Sequence, residues 1–452
     1  MADRPLNLRK VWDSLPRPKT DIGRRLASGS FWSLVGEAGG RAFSFVSTIL
    51  VARWLGIEDY GAFALAQSTL LTVSAFAAFG LGLTSSRYIA AFRDSDPAQV
   101  ESVNGIALTF STVSGALCAL AIFFAAPYLA SEILRHPDLA VPLQIIAPTL
   151  FLYTVGSALG GVIIGFEAFR KQTWITFVTG VVGFAALVAG ALLWGLNGAL
   201  FGLLATEVFR CAATFIVARR LMRARGLRIL HPGRASDAKV LWQFSLPVFL
   251  GATQRAVIVW ICQAIIVRQA GVDQIGLYDA AQKWMTLVLL APMAASASFS
   301  PVLSNLSEAG DGAAAHRRTT RQLALIQLAA TAAPALVLAL AAPLIVGLSF
   351  GEAYAAAAPV IVVMMFTAPF IVLNNLYWRA YVSTGNAWTV FNLGSVWAVI
   401  ALALTWLWRA DGAMGMALAQ LIGQIAVCAV FAVAMELVWR REARATPAAA
   451  QA

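Results

Sequence analysis

Long apolar runs constrain this chain more than any other feature of its sequence. About twelve runs of roughly 18 or more residues follow one another, and each is long enough to cross a bilayer core of about 30 Å. They are apolar nearly all round rather than alternating, which favours helices over strands. Only 12% of the residues are charged, against roughly 25% in soluble proteins. The predicted spans are residues 28–52, 60–85, 103–128, 141–166, 173–194, 197–219, 241–267, 275–302, 323–349, 356–382, 387–408 and 412–438.

The distribution of Lys and Arg predicts the orientation of these spans. With the N-terminus in the cytoplasm, about 24 of the 33 Lys and Arg residues fall on the cytoplasmic side. The opposite side receives Arg53, Arg135, Arg268 and Arg409. We therefore expect both termini in the cytoplasm. Contact with anionic membrane lipids accounts for the basic loops, so no nucleic acid partner is predicted.

A sequence motif near the end of the first span recurs in the second half of the chain. Residues 53–67 and 268–282 share the pattern R-x-x-G-[IV]-x-x-x-G-x-[FY]-x-x-A-Q. Each copy begins at the end of one span and runs into the next, which indicates an internal duplication. Parallel repeats of this kind are related by an axis along the membrane normal, and substrates bind between them near the bilayer midplane. The pattern predicts a secondary transporter.

The duplication and the polar connections divide the chain into five parts. We predict a basic N-terminal segment over residues 1–26 and a first lobe of six spans over 27–222. A basic linker over 223–239 leads to a second lobe of six spans over 240–438, and a tail covers 439–452. Turn residues mark several joints, including HPDL at 136–139, LNG at 196–198, TGN at 384–386 and DG at 411–412.

The segment from residue 50 to residue 92 resembles the Wzx-type polysaccharide flippases of the multidrug/oligosaccharidyl-lipid/polysaccharide (MOP) exporter superfamily. The resemblance rests on ARWLGIEDYG, on GLGLTSSRYIAAF and, in the second half, on VGLSFGEAYAAAAPVI at 346–361. It covers the chain end to end. Many relatives carry an acidic residue just before the Phe-Gly of span two, where this chain has Ala78. A coupling role for that carboxylate is therefore not transferred to this chain.

The resemblance implies an all-α polytopic membrane protein with about twelve helices in two lobes around a central cavity, as in MATE transporters. It also implies translocation of an undecaprenyl-pyrophosphate-linked oligosaccharide from the cytoplasmic to the periplasmic leaflet of a bacterial inner membrane. A polysaccharide polymerase or export complex is then a candidate partner. No enzymatic activity is expected.

Ionisable residues inside the predicted spans are the main candidates for a functional site. A charge in the bilayer interior costs roughly 3 kcal/mol or more, so it normally faces a wet cavity or a partner. Each of the three carboxylates has a basic residue three or four positions further on, so pairing within one helix is the alternative explanation. The candidates are Glu37, Arg41, Glu207, Arg210, Arg255, Asp279, Lys283 and Arg379.

The surplus of positive charge in this set suits a pyrophosphate, because guanidinium groups bind phosphate oxygens bidentately. Arg255 lies one position from the repeat equivalent of Arg41, so both halves place an arginine at nearly the same depth. We expect this pair to hold the headgroup, with Arg379, Lys283 and Arg210 next. The alternative for Arg255 and Arg379 is capping of backbone carbonyls near a helix end.

Polar residues without charge extend the predicted site. Gln67 and Gln282 occupy equivalent repeat positions, and Asn375 precedes Arg379 by one turn. These amides are candidates for binding sugar hydroxyls. The alternative is that they link helices through hydrogen bonds, which contribute about 0.6 kcal/mol each.

No cofactor is expected, and energy coupling is restricted to few residues. The sequence has no GxxxxGK[ST] phosphate loop and no metal-ligand spacing among its histidines and cysteines. Glu37, Glu207 and Asp279 are the interior carboxylates that could couple transport to H⁺ or Na⁺.

Four alternative functions fit the sequence less well than a polysaccharide flippase. A multidrug exporter should present an acidic or neutral cavity, and a lipid II flippase should have two further spans. A membrane enzyme of polysaccharide assembly should expose a large outer loop with catalytic groups. An assembly scaffold would not need interior arginines.

Overall fold

The computed structural model describes residues 21–231, 246–297, 312–382 and 387–449, and all regular secondary structure within them is helical. The helices are α1 (Asp21–Ala78), α2 (Leu81–Phe92), α3 (Pro97–Tyr128), α4 (Ala140–Gly165), α5 (Phe169–Arg223), α6 (Leu246–Ala270), α7 (Asp273–Ala297), α8 (Gly312–Leu340), α9 (Ala342–Ser349), α10 (Ala357–Val382), α11 (Ala387–Leu407) and α12 (Gly412–Ala449).

The two longest helices, α1 and α5, each contain two membrane spans. Helix α1 bends at Gly56, whose φ of 79° suits glycine, and α5 bends at Trp194 and Gly195. Counting α1 and α5 twice and omitting the short α2 and α9 gives twelve spans in the described part of the chain. The predicted all-α fold with two six-helix lobes is confirmed.

Seven described helices are long and apolar enough to cross a membrane by composition alone, and α1 and α5 are two of them.

Several predicted boundaries differ from the structure. The second span was expected to continue to residue 85, but α1 ends at Ala78 because Phe79 and Gly80 both have positive φ, and α2 resumes at Leu81. The joints at 136–139 and 411–412 are confirmed as short turns. The 384–386 joint, residues 1–20 and residues 232–239 lie outside the described residues, so the five-part division stays a prediction.

The buried cores show how the two lobes meet. The largest core holds residues of both lobes, such as Leu65 of α1 with Ile275 and Ala281 of α7. It occupies the end of the bundle at which Gly56 and Gly271 lie, which we call the Gly56 end. At the opposite end, where most basic loops lie, the lobes have separate cores. One surrounds Leu159 and the other surrounds Trp397.

Glycines also let α5 fold back on itself. A Cβ added to Gly190 would overlap the carbonyl of Gly198, and a Cβ on Gly198 would overlap that of Gly190. The two halves of α5 are therefore in backbone contact next to the bend at Gly195.

Substitution of Gly190 by alanine should destabilise this hairpin. Because the added methyl meets backbone that cannot rotate away, we expect Gly190→Ala to lower stability by about 1–3 kcal/mol. The measurement is the thermal unfolding midpoint of the purified protein in detergent. Gly347→Ala is the matched control, since Gly347 is helical and has no atom within 4 Å of an added Cβ. Equal midpoints for both variants would show that the backbone contact between Gly190 and Gly198 does not stabilise the protein.

Candidate functional site

The repeated motif forms a symmetric backbone contact between the lobes. Gly61 of α1 lies against the carbonyl of Val272, and Gly276 of α7 lies against the carbonyl of Ile57. A Cβ on either glycine would overlap the opposite backbone. Because Gly61 corresponds to Gly276 and Ile57 to Val272 in the two motif copies, the same two contacts are made from each side. The two copies of the repeated motif therefore close the bundle at the Gly56 end.

Polar side chains connect the lobes just below this glycine contact. The Tyr60 hydroxyl donates a 2.5 Å hydrogen bond to Oδ2 of Asp279 across the lobe boundary. Lys283 lies 3.3 Å from the same carboxylate oxygen and donates to Oε1 of Gln67 at 3.4 Å. The predicted residues Asp279, Lys283 and Gln67 are therefore brought together, and we call them with Tyr60 the interlobe latch.

A second tyrosine supports the closed Gly56 end. The Tyr354 hydroxyl lies 3.0 Å from the carbonyl oxygens of Ala52 and Gly56, which the bend in α1 frees from helical hydrogen bonding. Its ring packs edge-on against Tyr60 with 6.2 Å between centroids. Tyr354 comes from the turn before α10, so it ties the second lobe to the kink of the first.

The seam between α1 and α6 carries further contacts between the lobes. Ser68 donates to Gln263 at 2.5 Å, and Trp260 donates to Thr69 at 2.8 Å. Phe249 packs against Phe79, with 4.6 Å between ring centroids, towards the basic end. This seam therefore extends further along the bundle than the latch does.

Arg255 lies on α6 beside that seam. Its neighbour Ala256 accepts a hydrogen bond from Thr72 of the first lobe. The Arg255 side chain is exposed, and its guanidinium carbon lies 5.4 Å from the ring centroid of Trp397. Within the described part of the chain it forms no ion pair.

The other predicted residues of the second lobe have mixed environments. Half-buried Arg379 donates to Oδ1 of Asn375, one turn earlier on α10, at 3.1 Å. Gln282 is half-buried on α7. Asn374 donates to Oε1 of Gln424 at 2.6 Å and so links α10 to α12, which is the helix-linking alternative stated for such amides.

Arg210 and Glu207 form a neutral pair inside the first lobe. Two guanidinium nitrogens of Arg210 lie 2.6 and 2.7 Å from Oε2 of Glu207. The Tyr153 ring centroid lies 4.8 Å from the guanidinium carbon. Arg210 borders a cavity of about 390 Å³ between α2, α4 and α5. The geometry of this pair matches the alternative explanation given above, in which each interior carboxylate pairs with a basic residue on its own helix.

Glu37 and Arg41 lie on α1, and their side chains are outside the described residues. The neighbouring Gly40 packs against Thr176 and Gly180 of α5. The expected pairing of Arg41 with Arg255 at the headgroup therefore stays a prediction.

Sequence reasoning missed the two tyrosines of the closed end. Tyr60 directly precedes Gly61 in the repeated motif, so its position next to the lobe boundary could have been inferred. The contacts of Tyr354 could not have been inferred from its place in the GEAY sequence, because its partners are backbone carbonyls nearly 300 residues away.

The chain has the fold of solved transporters of the MOP superfamily. An inward-facing multidrug resistance MATE transporter matches with a TM-score of 0.80 at 13% identity, over 90% of this chain and 96% of that one. An outward-facing MATE transporter gives 0.65 at 14% identity, over 92% and 96%. The lipid II flippase MurJ, in an inward closed conformation, gives 0.72 at 12% identity, over 89% and 87%.

Sequence comparison identifies the family. The model described as "Polysaccharide biosynthesis protein" matches residues 26–307, and the chain belongs to this family. The EPS I polysaccharide export inner membrane protein EpsE of Ralstonia solanacearum is 22% identical over 389 residues, 84% of this chain and 86% of that protein. Stage V sporulation protein B of Bacillus subtilis is 26% identical over 122 residues, 27% of this chain and 24% of that protein. The resemblance indicated by the sequence motifs is confirmed.

The glycine contact makes a testable statement about conformation. Gly61→Ala should separate the lobes at the Gly56 end, because the added methyl overlaps the Val272 backbone. Spin labels at Glu58 and Glu352, both exposed near this end, report the separation by double electron–electron resonance in a cysteine-free background. We expect a longer mean distance in Gly61→Ala and an unchanged one in Gly347→Ala. An unchanged distance in Gly61→Ala would show that the contact does not hold the lobes together.

Proposed function

We propose that this protein is a flippase that moves undecaprenyl-pyrophosphate-linked oligosaccharides from the cytoplasmic to the periplasmic leaflet of a bacterial inner membrane. The substrate enters between the lobes from the cytoplasmic side and leaves after the Gly56 end opens to the periplasm. Both termini are cytoplasmic in this proposal. The product would feed exopolysaccharide, O-antigen or capsule assembly, with a polymerase or export complex as partner.

One observation carries the proposal: the lobes share a core at the Gly56 end and have separate cores at the basic end. This is the arrangement expected of an inward-facing transporter when the basic loops are cytoplasmic. The higher TM-score with the inward-facing MATE transporter agrees with it. The polysaccharide family and the export function in the name of EpsE support a lipid-linked saccharide as the cargo.

Arg255 is the residue we assign to the pyrophosphate. It is an exposed residue beside the interlobe seam, without an ion pair in the described part of the chain. An unneutralised arginine can donate two parallel hydrogen bonds to phosphate oxygens, whereas Arg210 already donates to a carboxylate. Arg41, at the near-equivalent position of the repeat, would supply the matching charge from the first lobe.

Loss of Arg255 should slow flipping. A charge-assisted hydrogen bond contributes about 1.5–3 kcal/mol, so Arg255→Ala should reduce the rate by roughly tenfold or more. The assay uses a strain lacking the gene and measures undecaprenyl-linked oligosaccharide in the cytoplasmic leaflet after complementation. We expect accumulation with an empty vector and with Arg255→Ala, a stronger defect in Arg41→Ala/Arg255→Ala, and partial rescue by Arg255→Lys.

Two outcomes of that assay would count against the proposal, provided that protein amounts in the membrane are equal. Normal delivery by the double variant would remove the assigned headgroup site. Absence of any lipid-linked accumulation in the deletion strain would remove the flippase function itself. Export of cationic dyes by the reconstituted protein would then favour the multidrug alternative.

Asp279 is the strongest candidate for ion coupling, because it bonds to the other lobe. Protonation would remove the charge that holds Lys283 and accepts from Tyr60, and thereby weaken the closed Gly56 end. Among the described residues Glu207 bonds only within its own helix, so its protonation would leave the lobe boundary unchanged.

This difference predicts distinct behaviour of two neutral variants in proteoliposomes. Asp279→Asn should abolish the response of the flipping rate to an imposed proton or sodium gradient, whereas Glu207→Gln should retain it. Flipping is measured by protection of the oligosaccharide from an external glycan-modifying reagent. A gradient response that survives simultaneous neutralisation of Glu37, Glu207 and Asp279 would rule out coupling through these carboxylates.

A further inference from the structure

The first lobe contains a cavity that the proposed headgroup site does not use. It has a volume of about 390 Å³ and lies between α2, α4 and both halves of α5, towards the basic end of the bundle. This volume falls in the range of roughly 300–1,000 Å³ found for small-molecule pockets. Its lining includes Gly82, Gly156, Gly160, Gln172, Thr179 and Arg210.

Glycines on one face of α4 create this space. Gly161 crosses the backbone of Gly82 on α2, which fixes the distance between the two helices. Beside that crossing, a Cβ added to Gly160 would meet no atom within 4 Å, so this glycine borders open volume. Gly156 leaves room for the guanidinium of Arg210, whose nitrogen would lie 3.3 Å from an added Cβ.

The polar lining has hydrogen-bonding capacity that the protein does not satisfy. Oε1 of Gln172 and Oγ1 of Thr179 are buried without a hydrogen-bond partner within the described residues. Nη1 of Arg210 has no hydrogen bond there either, since Nε and Nη2 are used by Glu207 and the Tyr153 carbonyl. Buried polar groups are normally paired, so the Gln172 and Thr179 oxygens are the expected contacts of a polar occupant, and Nη1 of Arg210 is a further donor beside them.

The charge of the cavity distinguishes between the two parts of a lipid-linked sugar. The Arg210–Glu207 pair is neutral overall, and among the described residues the remaining polar lining consists of hydroxyl, amide and backbone groups. A pyrophosphate would gain little here compared with the exposed Arg255. Hydroxyl groups, which both donate and accept, match an acceptor at Gln172, a hydroxyl at Thr179 and a donor at Arg210.

We propose that this cavity binds an uncharged saccharide unit of the translocated lipid-linked oligosaccharide, with Gln172, Thr179 and Arg210 as hydrogen-bonding residues. The proposal rests on the proposed flippase function. It divides the ligand between two sites: sugar hydroxyls bind in this cavity, and the pyrophosphate binds at Arg255 of the second lobe, with Arg41 as its expected counterpart. The cavity would then select the sugar, while Arg255 recognises the pyrophosphate that all such substrates share.

The test fills the cavity without disturbing the backbone. Gly160→Leu places a side chain in the open volume, and Gly347→Leu is the control at a helical, exposed glycine with equal free space. Thr179→Val removes one hydroxyl at nearly constant shape. The probes are oligosaccharide released by mild acid from the lipid-linked fraction of the deletion strain, and sodium pyrophosphate. Binding to the purified full-length protein is measured by saturation-transfer NMR and calorimetry.

We expect the oligosaccharide to bind wild-type protein and Gly347→Leu equally. It should bind Thr179→Val about threefold to tenfold more weakly, and Gly160→Leu at least about tenfold more weakly. Pyrophosphate binding should be unchanged in both cavity variants and reduced in Arg255→Ala. In the complementation assay, Gly160→Leu should accumulate lipid-linked oligosaccharide.

Unchanged oligosaccharide binding in Thr179→Val and Gly160→Leu would overturn the proposal, and Thr179→Val decides alone if Gly160→Leu does not fold. Pyrophosphate binding that is lost in the cavity variants would assign the cavity to the phosphate instead. Failure of the flippase function is distinct, because the deletion strain would then accumulate no lipid-linked sugar. If accumulation occurs and Gly160→Leu complements fully, only the cavity assignment is wrong.

Discussion

The contact of Gly61 and Gly276 with the opposite backbone is the constraint on which the arrangement of the lobes depends. Two helices can approach to backbone distance only where neither has a side chain, so each copy of the motif must supply a glycine. Each copy also supplies the carbonyl that the other glycine meets. Duplication of one sequence gives such a symmetric contact directly, because each half carries both the glycine and the carbonyl that the other half needs.

The polar groups around this contact break its symmetry. The positions equivalent to Asp279 and Lys283 in the first half are Ala64 and Ser68, and the position equivalent to Tyr60 is Ile275. The backbone closure is therefore two-fold, whereas the charged latch exists on one side only. The other side is joined by the uncharged hydrogen bond between Ser68 and Gln263. A change in protonation or ion binding can consequently act on one side of the closed end without loosening the other.

The sequence predicted the features that follow from periodicity and repetition. Apolar run length gave the twelve spans, and the repeated motif located the equivalent glycines. The spacing of Asp279 and Lys283, and of Glu207 and Arg210, anticipated their pairing within a helix. Long-range partners could not be predicted, because nothing local indicates that Tyr60 bonds to Asp279 rather than to a neighbour on its own helix. The cavity beside Gly160 was also hidden, since it depends on how far apart the Gly82–Gly161 crossing holds α2 and α4.

The distribution of charge between the lobes has a mechanistic consequence. Six of the eight predicted interior charges have described side chains, and two pairs among them are locally neutral. The described lining of the first-lobe cavity is polar and neutral, while the second lobe retains the cation of Arg255. A ligand with an anionic end and an uncharged polar end would contact both lobes, and it would be fully bound only when the lobes have a particular separation. Binding free energy from such a ligand therefore depends on conformation, which is the condition for a substrate to drive its own translocation.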